Sequence, residues 1–168
     1  TEGDASQGRI LGAQGIGLCR TEHMFLAHDR LPIMRRFILA GNDAAEQAAL
    51  DELEAAQTAD FESVLDAMDG LPVTVRLLDP PLHEFLPDIV DLQAREARSE
   101  LTDDEGIELA AVRRLHEANP MIGTRGVRLG VVRPGLYEMQ VRALCTAAAN
   151  LFAQGKRPHV ENVLRIRI

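Results

Sequence analysis

The sequence predicts an α/β fold built around a parallel sheet, on three observations. Short apolar runs, β-branched or bounded by glycine, recur at 15–19, 72–78, 121–123 and 160–168. Longer stretches with apolar residues at helical spacing separate them, most clearly at 44–68. Gly, Asn and Pro stand at the junctions. Such alternation implies parallel pairing through right-handed crossovers, in a doubly wound sheet or in part of a (β/α)8 barrel. About four strands in 168 residues make about half a barrel, since a complete one takes roughly 250 residues. No repeat, low-complexity stretch or linker divides the chain, which reads as a single segment, 1–168.

Residues 4–11 suit the end of a short helix, stopped by Gly12. The run Gly15-Ile16-Gly17-Leu18-Cys19 reads as a buried strand, followed by polar residues at 20–23. A helix is expected over 30–38, with Gly41-Asn42-Asp43 punctuating it. In the helix over 44–68, Leu50, Leu53, Phe61, Val64, Leu65 and Met68 form the apolar face. Asp43 or Asn42 caps its start, and Gly70 follows its end. The β-branched run at 72–78 is a strand ended by Asp79-Pro80-Pro81, because proline cannot continue a central ladder. Residues 82–101 mix acid and base and read as loop and helix. Thr102-Asp103-Asp104-Glu105 has the spacing of a capping box and opens a helix to about His116, broken by Asn119-Pro120. A short strand is expected at 121–123, and Pro134 starts a helix running to about Ala153 with Gly155 as its stop. A last strand is expected over 160–168.

Composition narrows the function. Apolar residues make up 46% and charged residues 26%, the balance of an ordinary globular protein. A net charge of −8 argues against binding nucleic-acid phosphates, and one Tyr with no Trp leaves little for stacking bases. No apolar run is long enough to span a membrane. The first residues carry no signal-peptide pattern, and the absence of an initiator Met suits a processed or cloned end. Cys19 and Cys145 have neither disulfide nor metal spacing and read as reduced thiols, so a cytoplasmic location is expected.

In parallel α/β folds, functional groups collect beyond the carboxyl ends of the strands. Arg20, Arg76 and Arg125 each lie at or just after a strand candidate. If those strands are neighbours, three guanidinium groups meet at one mouth, suited to a small, multiply charged anion such as a phosphate or carboxylate. The competing reading pairs each arginine with a nearby acid such as Glu22, Asp79 or Glu84. Asp79 and Glu84 suggest a carboxylate pair, or else orient arginines or cap loops. His23 and His83 follow strand candidates and are either a base, a phosphate contact or packing residues. Met24-Phe25-Leu26 reads as core. The glycine-rich run Gly123-Thr124-Arg125-Gly126-Val127-Arg128-Leu129-Gly130 matches neither the phosphate-loop nor the dinucleotide pattern and reads as a strand-to-helix loop.

Several strings resemble the pyruvate, phosphate dikinases. They are Gly15-Ile16-Gly17-Leu18-Cys19-Arg20-Thr21-Glu22-His23-Met24-Phe25, Val75-Arg76-Leu77-Leu78-Asp79-Pro80-Pro81-Leu82-His83-Glu84-Phe85-Leu86-Pro87, Arg125-Gly126-Val127-Arg128-Leu129-Gly130, and Leu136-Tyr137-Glu138-Met139-Gln140-Val141-Arg142-Ala143. The resemblance implies an enzyme that interconverts ATP, pyruvate and phosphate with AMP, phosphoenolpyruvate (PEP) and diphosphate. It makes 1–168 the N-terminal half of the C-terminal, PEP/pyruvate-binding (β/α)8 TIM barrel. By match to its motifs, Arg20, Arg76 and Arg125 become substrate-binding arginines that grip the phosphoryl group. It also implies Mg²⁺ in the complete enzyme, held by later carboxylates beyond residue 168, as is the cysteine that protonates the enolate. A phosphohistidine domain and a nucleotide-binding domain are implied partners, preceding residue 1.

Two positions depart from the resemblance. Thr124 stands where a His or aromatic residue is expected, and Arg165-Ile166-Arg167-Ile168 where a Pro-Leu-Val-like strand end is expected. Arginines in a central strand need partners or an exposed face. The alternative function is a truncated or divergent relative that binds an anion or a partner without catalysis. Half a barrel has open sheet edges, so a homo-oligomer is expected.

Overall fold

A computed structural model describes residues 2–116, 119 and 123–163. The elements run α1 (Glu2–Ile10), β1 (Ile16–Arg20), α2 (Glu22–Phe25), α3 (Leu31–Leu39), α4 (Asp43–Ala67), β2 (Pro72–Arg76), a 3₁₀ turn (Leu82–Phe85), α5 (Ile89–Ala97), α6 (Asp103–Leu115), α7 (Val127–Val132), α8 (Pro134–Ala153) and β3 (His159–Val163). The fold is α/β, and the sheet has the order β1-β2-β3 with both pairings parallel.

The expectation of about four strands is corrected to three among the described residues. Of the candidate at 121–123, residues 121 and 122 lie outside the described residues, and Gly123 sits in a bend. β2 pairs directly with β3, so no further strand stands between them. The last strand is described over His159–Val163, and the stretch 164–168, with its two arginines, lies outside the described residues.

Local chemistry explains most helix ends. Asn42, not Asp43, caps α4, its side chain accepting the Ala45 N–H at 2.9 Å. Thr102 and Glu105 form the reciprocal capping box of α6. Two helices depart from expectation. The polar run after β1 folds into α2, which buries Phe25. Half of the glycine-rich run is α7. Gly126 precedes that helix with φ +52, a left-handed backbone that suits glycine. Gly130 lies within it because a Cβ there would come 3.0 Å from the Tyr137 ring.

The core explains which face of the sheet is free. Val73 and Val75 of β2 point to the helical side, where they pack with Phe61, Val64 and Leu65 of α4 and Ala143, Leu144 and Ala147 of α8. A second cluster gathers Phe25, Phe37, Leu50, Leu53, Leu78, Phe85, Leu109 and Leu136, so α4 runs through both. Successive strand residues alternate faces, which turns Thr74 and Arg76 away from α4 and α8. Thr74 meets Glu161 of β3 there, its hydroxyl 3.1 Å from the carboxylate.

Candidate functional site

The register of the sheet sets the site. Arg20 is the last residue of β1 and Arg76 the last of β2, and the two are partners in the parallel ladder. β1 carries a bulge between Ile16 and Cys19, whose extra residue keeps Cys19 opposite buried Val75 and puts Arg20 opposite Arg76. Both arginines therefore stand at the same, carboxyl end of neighbouring strands. Arg20 is exposed, and its side chain makes no ion pair or hydrogen bond among the described residues. It borders a cleft of about 530 Å³ between α1, β1, α2 and α4, together with His23 and Met24.

Arg76 is differently placed. Its guanidinium pairs with Glu22 and lies 3.3 Å from Asp79 Oδ2. Arg125 donates to the same Asp79 oxygen at 2.7 Å, and its Nε donates to the Asp79 backbone carbonyl at 3.2 Å. The Asp79 carboxylate is only 1% exposed. The structure thus joins Arg76 and Arg125 through one buried acid, and the reading in which acids orient these arginines holds for both. The guanidinium groups of Arg76 and Arg125 thus face the carboxylates of Glu22 and Asp79, two charges of each sign. Glu22 Oε2 and Arg76 Nε are buried without hydrogen-bond partners among the described residues.

Beneath these groups lies a buried polar network absent from the sequence reading. Leu77 and Leu78, expected in the strand, leave the ladder. The Leu78 N–H donates to Gln140 Oε1 at 2.9 Å, and its carbonyl accepts from the Tyr137 hydroxyl at 2.6 Å. Gln140 Nε2 donates to Thr21 Oγ1 at 3.1 Å and to Gln57 Oε1 at 3.0 Å. The Thr21 hydroxyl donates in turn to the Arg76 carbonyl at 3.0 Å. The signal available in the sequence was Gln140 on the apolar face of α8, between Leu136, Met139 and Ala143. Burial, with the nearby Asp79 charge, pushes the Tyr137 phenol well above its ordinary value, so it stays a donor.

The other candidates separate. His83 packs its ring on His116, with 5.7 Å between centroids. Glu84 is exposed. Cys19 lies on the helical face, where burial raises its thiol pKa, and Cys145 is exposed. Among the described residues no group of three or more His, Cys, Asp or Glu is arranged to hold a metal ion. No helix among them is long and apolar enough to cross a membrane.

Comparison with known proteins identifies the family. Residues 1–167 match the family described as PEP-utilising enzyme, PEP-binding domain. The chain is 52% identical over 157 residues to pyruvate, phosphate dikinase 1, chloroplastic, of Oryza sativa subsp. japonica, covering 92% of this chain and 17% of that protein. It is 50% identical over 155 residues to pyruvate, phosphate dikinase of Giardia intestinalis, with coverage of 92% and 17%. To the Entamoeba histolytica enzyme of that name it is 47% identical over 156 residues, covering 89% and 18%. The chain therefore spans under a fifth of the length of each of these relatives. With the match running over nearly every residue, this chain belongs to the family of PEP-binding domains of PEP-utilising enzymes.

Proposed function

We propose that the chain is the first part of the PEP/pyruvate-binding (β/α)8 barrel of a pyruvate, phosphate dikinase, and that Arg20, Arg76 and Arg125 bind the phosphoryl group. The observation that carries this is the ladder pairing of Arg20 with Arg76 at the carboxyl ends of adjacent parallel strands, with Arg20 exposed. Phosphoryl transfer develops negative charge spread over equatorial oxygens. Guanidinium groups already held in place stabilise that charge without reorganising during the step. Glu22 and Asp79 hold Arg76, and Asp79 holds Arg125, which supports such preorganisation.

On this reading the whole enzyme converts ATP, pyruvate and phosphate to AMP, PEP and diphosphate, in company with phosphohistidine and nucleotide-binding domains, in the cytoplasm. Mg²⁺ belongs to that enzyme with ligands outside this chain. A second reading, anion binding or partner contact without catalysis, is favoured by one observation: Arg76 and Arg125 already have carboxylate partners.

Calorimetric titration with PEP tests the proposal. The 168-residue chain is expected to bind PEP weakly, and Arg20→Ala and Arg76→Ala each to weaken it about tenfold or more. Equal affinity in all three proteins removes the arginine mouth. A loss in Arg20→Ala alone assigns Arg76 to structure and favours the second reading.

A further inference from the structure

α8 carries two buried polar side chains, Tyr137 and Gln140, among the apolar residues that pack it against the sheet and α4. Residues three apart on a helix share a face. These two grip opposite sides of Leu78, just where the chain has left β2: the amide of Gln140 takes its N–H, and the hydroxyl of Tyr137 its carbonyl. The same hydroxyl lies 3.1 Å from the Gly126 carbonyl. Gln140 also reaches Thr21, whose hydroxyl returns to the Arg76 carbonyl.

Each point held adjoins Arg20 or a member of the Arg76–Asp79–Arg125 cluster. Thr21 follows Arg20, Leu78 precedes Asp79, and Gly126 follows Arg125. We infer that Tyr137 and Gln140 are positioning residues, which set the spacing of Arg20, Arg76 and Arg125 for a phosphorylated carboxylic acid by clamping the three backbones that carry them. The inference rests on the anion-binding reading above.

Packing alone asks for neither polar group, since phenylalanine and methionine fill nearly the same space. What the polar groups add is direction. Gln140 has its carbonyl oxygen and its amide nitrogen all engaged, so only one orientation of the amide satisfies the network.

The test uses Tyr137→Phe and Gln140→Met in the 168-residue chain, titrated with PEP. Each is expected to bind about tenfold more weakly, because a contact placed slightly wrong loses much of a charge-assisted bond. The readout specific to positioning is a double-mutant cycle with Arg125→Ala. Tyr137→Phe is expected to cost clearly less in that background than alone, because one of the groups it places is gone. Unchanged affinity in both single variants, or a loss that repeats in full in the Arg125→Ala background, overturns the inference.

If the unaltered chain takes up no PEP, the functional reading fails first, and amide hydrogen exchange decides the clamp. Leu78 is expected to exchange at least about tenfold faster in Gln140→Met, with α6 unchanged. An unchanged Leu78, or uniform acceleration over the chain, overturns the clamp.

Discussion

Asp79 is the residue on which the cluster of Arg76, Arg125 and Glu22 turns. Its buried Oδ2 serves two guanidinium groups, those of Arg76 and Arg125. Removing its charge leaves both guanidiniums short of a partner in a site where their side chains are only 16% and 21% exposed. Asp79→Asn is therefore expected to destabilise the chain by about 3 kcal/mol, as breaking a buried pair does. Urea unfolding checks this, and a change under about 1 kcal/mol contradicts it. Arg20 and Arg76 are legible in the sequence as cations at strand ends, and all three arginines through the dikinase-like strings. Their partners were legible only as a short set of nearby acids. Asp79 and Arg125 lie 46 positions apart, and no local rule couples residues at that distance. Tyr137 and Gln140 stayed hidden for the same reason, because their partners belong to other elements.

Elements bounded by their own side chains were read closely. The stop at Gly70 and the start at Pro134 are matters of a few neighbouring residues, as are the caps at Asn42 and Thr102. Asn42→Ala should cost about 1 kcal/mol, measured by thermal or urea unfolding. The capping box makes a pH prediction. Hydrogen bonds from the Thr102 backbone, then from its hydroxyl and from Arg95, lower the pKa of Glu105 below its ordinary 4.5. A carboxylate with a depressed folded-state pKa adds stability that is present above the unfolded value and lost as pH falls through the folded one. The difference in thermal midpoint between the wild type and Glu105→Gln should accordingly hold near neutrality and narrow below about pH 4.5. A difference that stays constant down to about pH 3 contradicts the assignment. Where an element depends on a distant partner, neighbouring residues do not set its bounds. β2 stops at Arg76 because side chains of α8 take over the peptide groups of Leu78. Gly130 looked like part of a loop, yet it makes room for Tyr137 inside α7.

At the scale of the molecule, the outer strands β1 and β3 each pair only with β2 among the described residues. Unpaired strand edges template association unless something covers them. Sedimentation at several concentrations is expected to show dimers or larger species, and a strictly monomeric boundary throughout contradicts that. By itself, the sequence determined the α/β class, the bounds of the capped helices, the two principal strands and the family to which the motifs belong. All of these follow from neighbouring residues or from long unbroken strings. Only the tertiary structure decided that three strands pair in the order β1-β2-β3, that Arg20 stands beside Arg76, and that Asp79 joins Arg76 to Arg125. The physical reason is that register and ion pairing are settled by the shared packing of α4 and α8 on the sheet. That packing fixes distances between side chains that the chain itself leaves far apart.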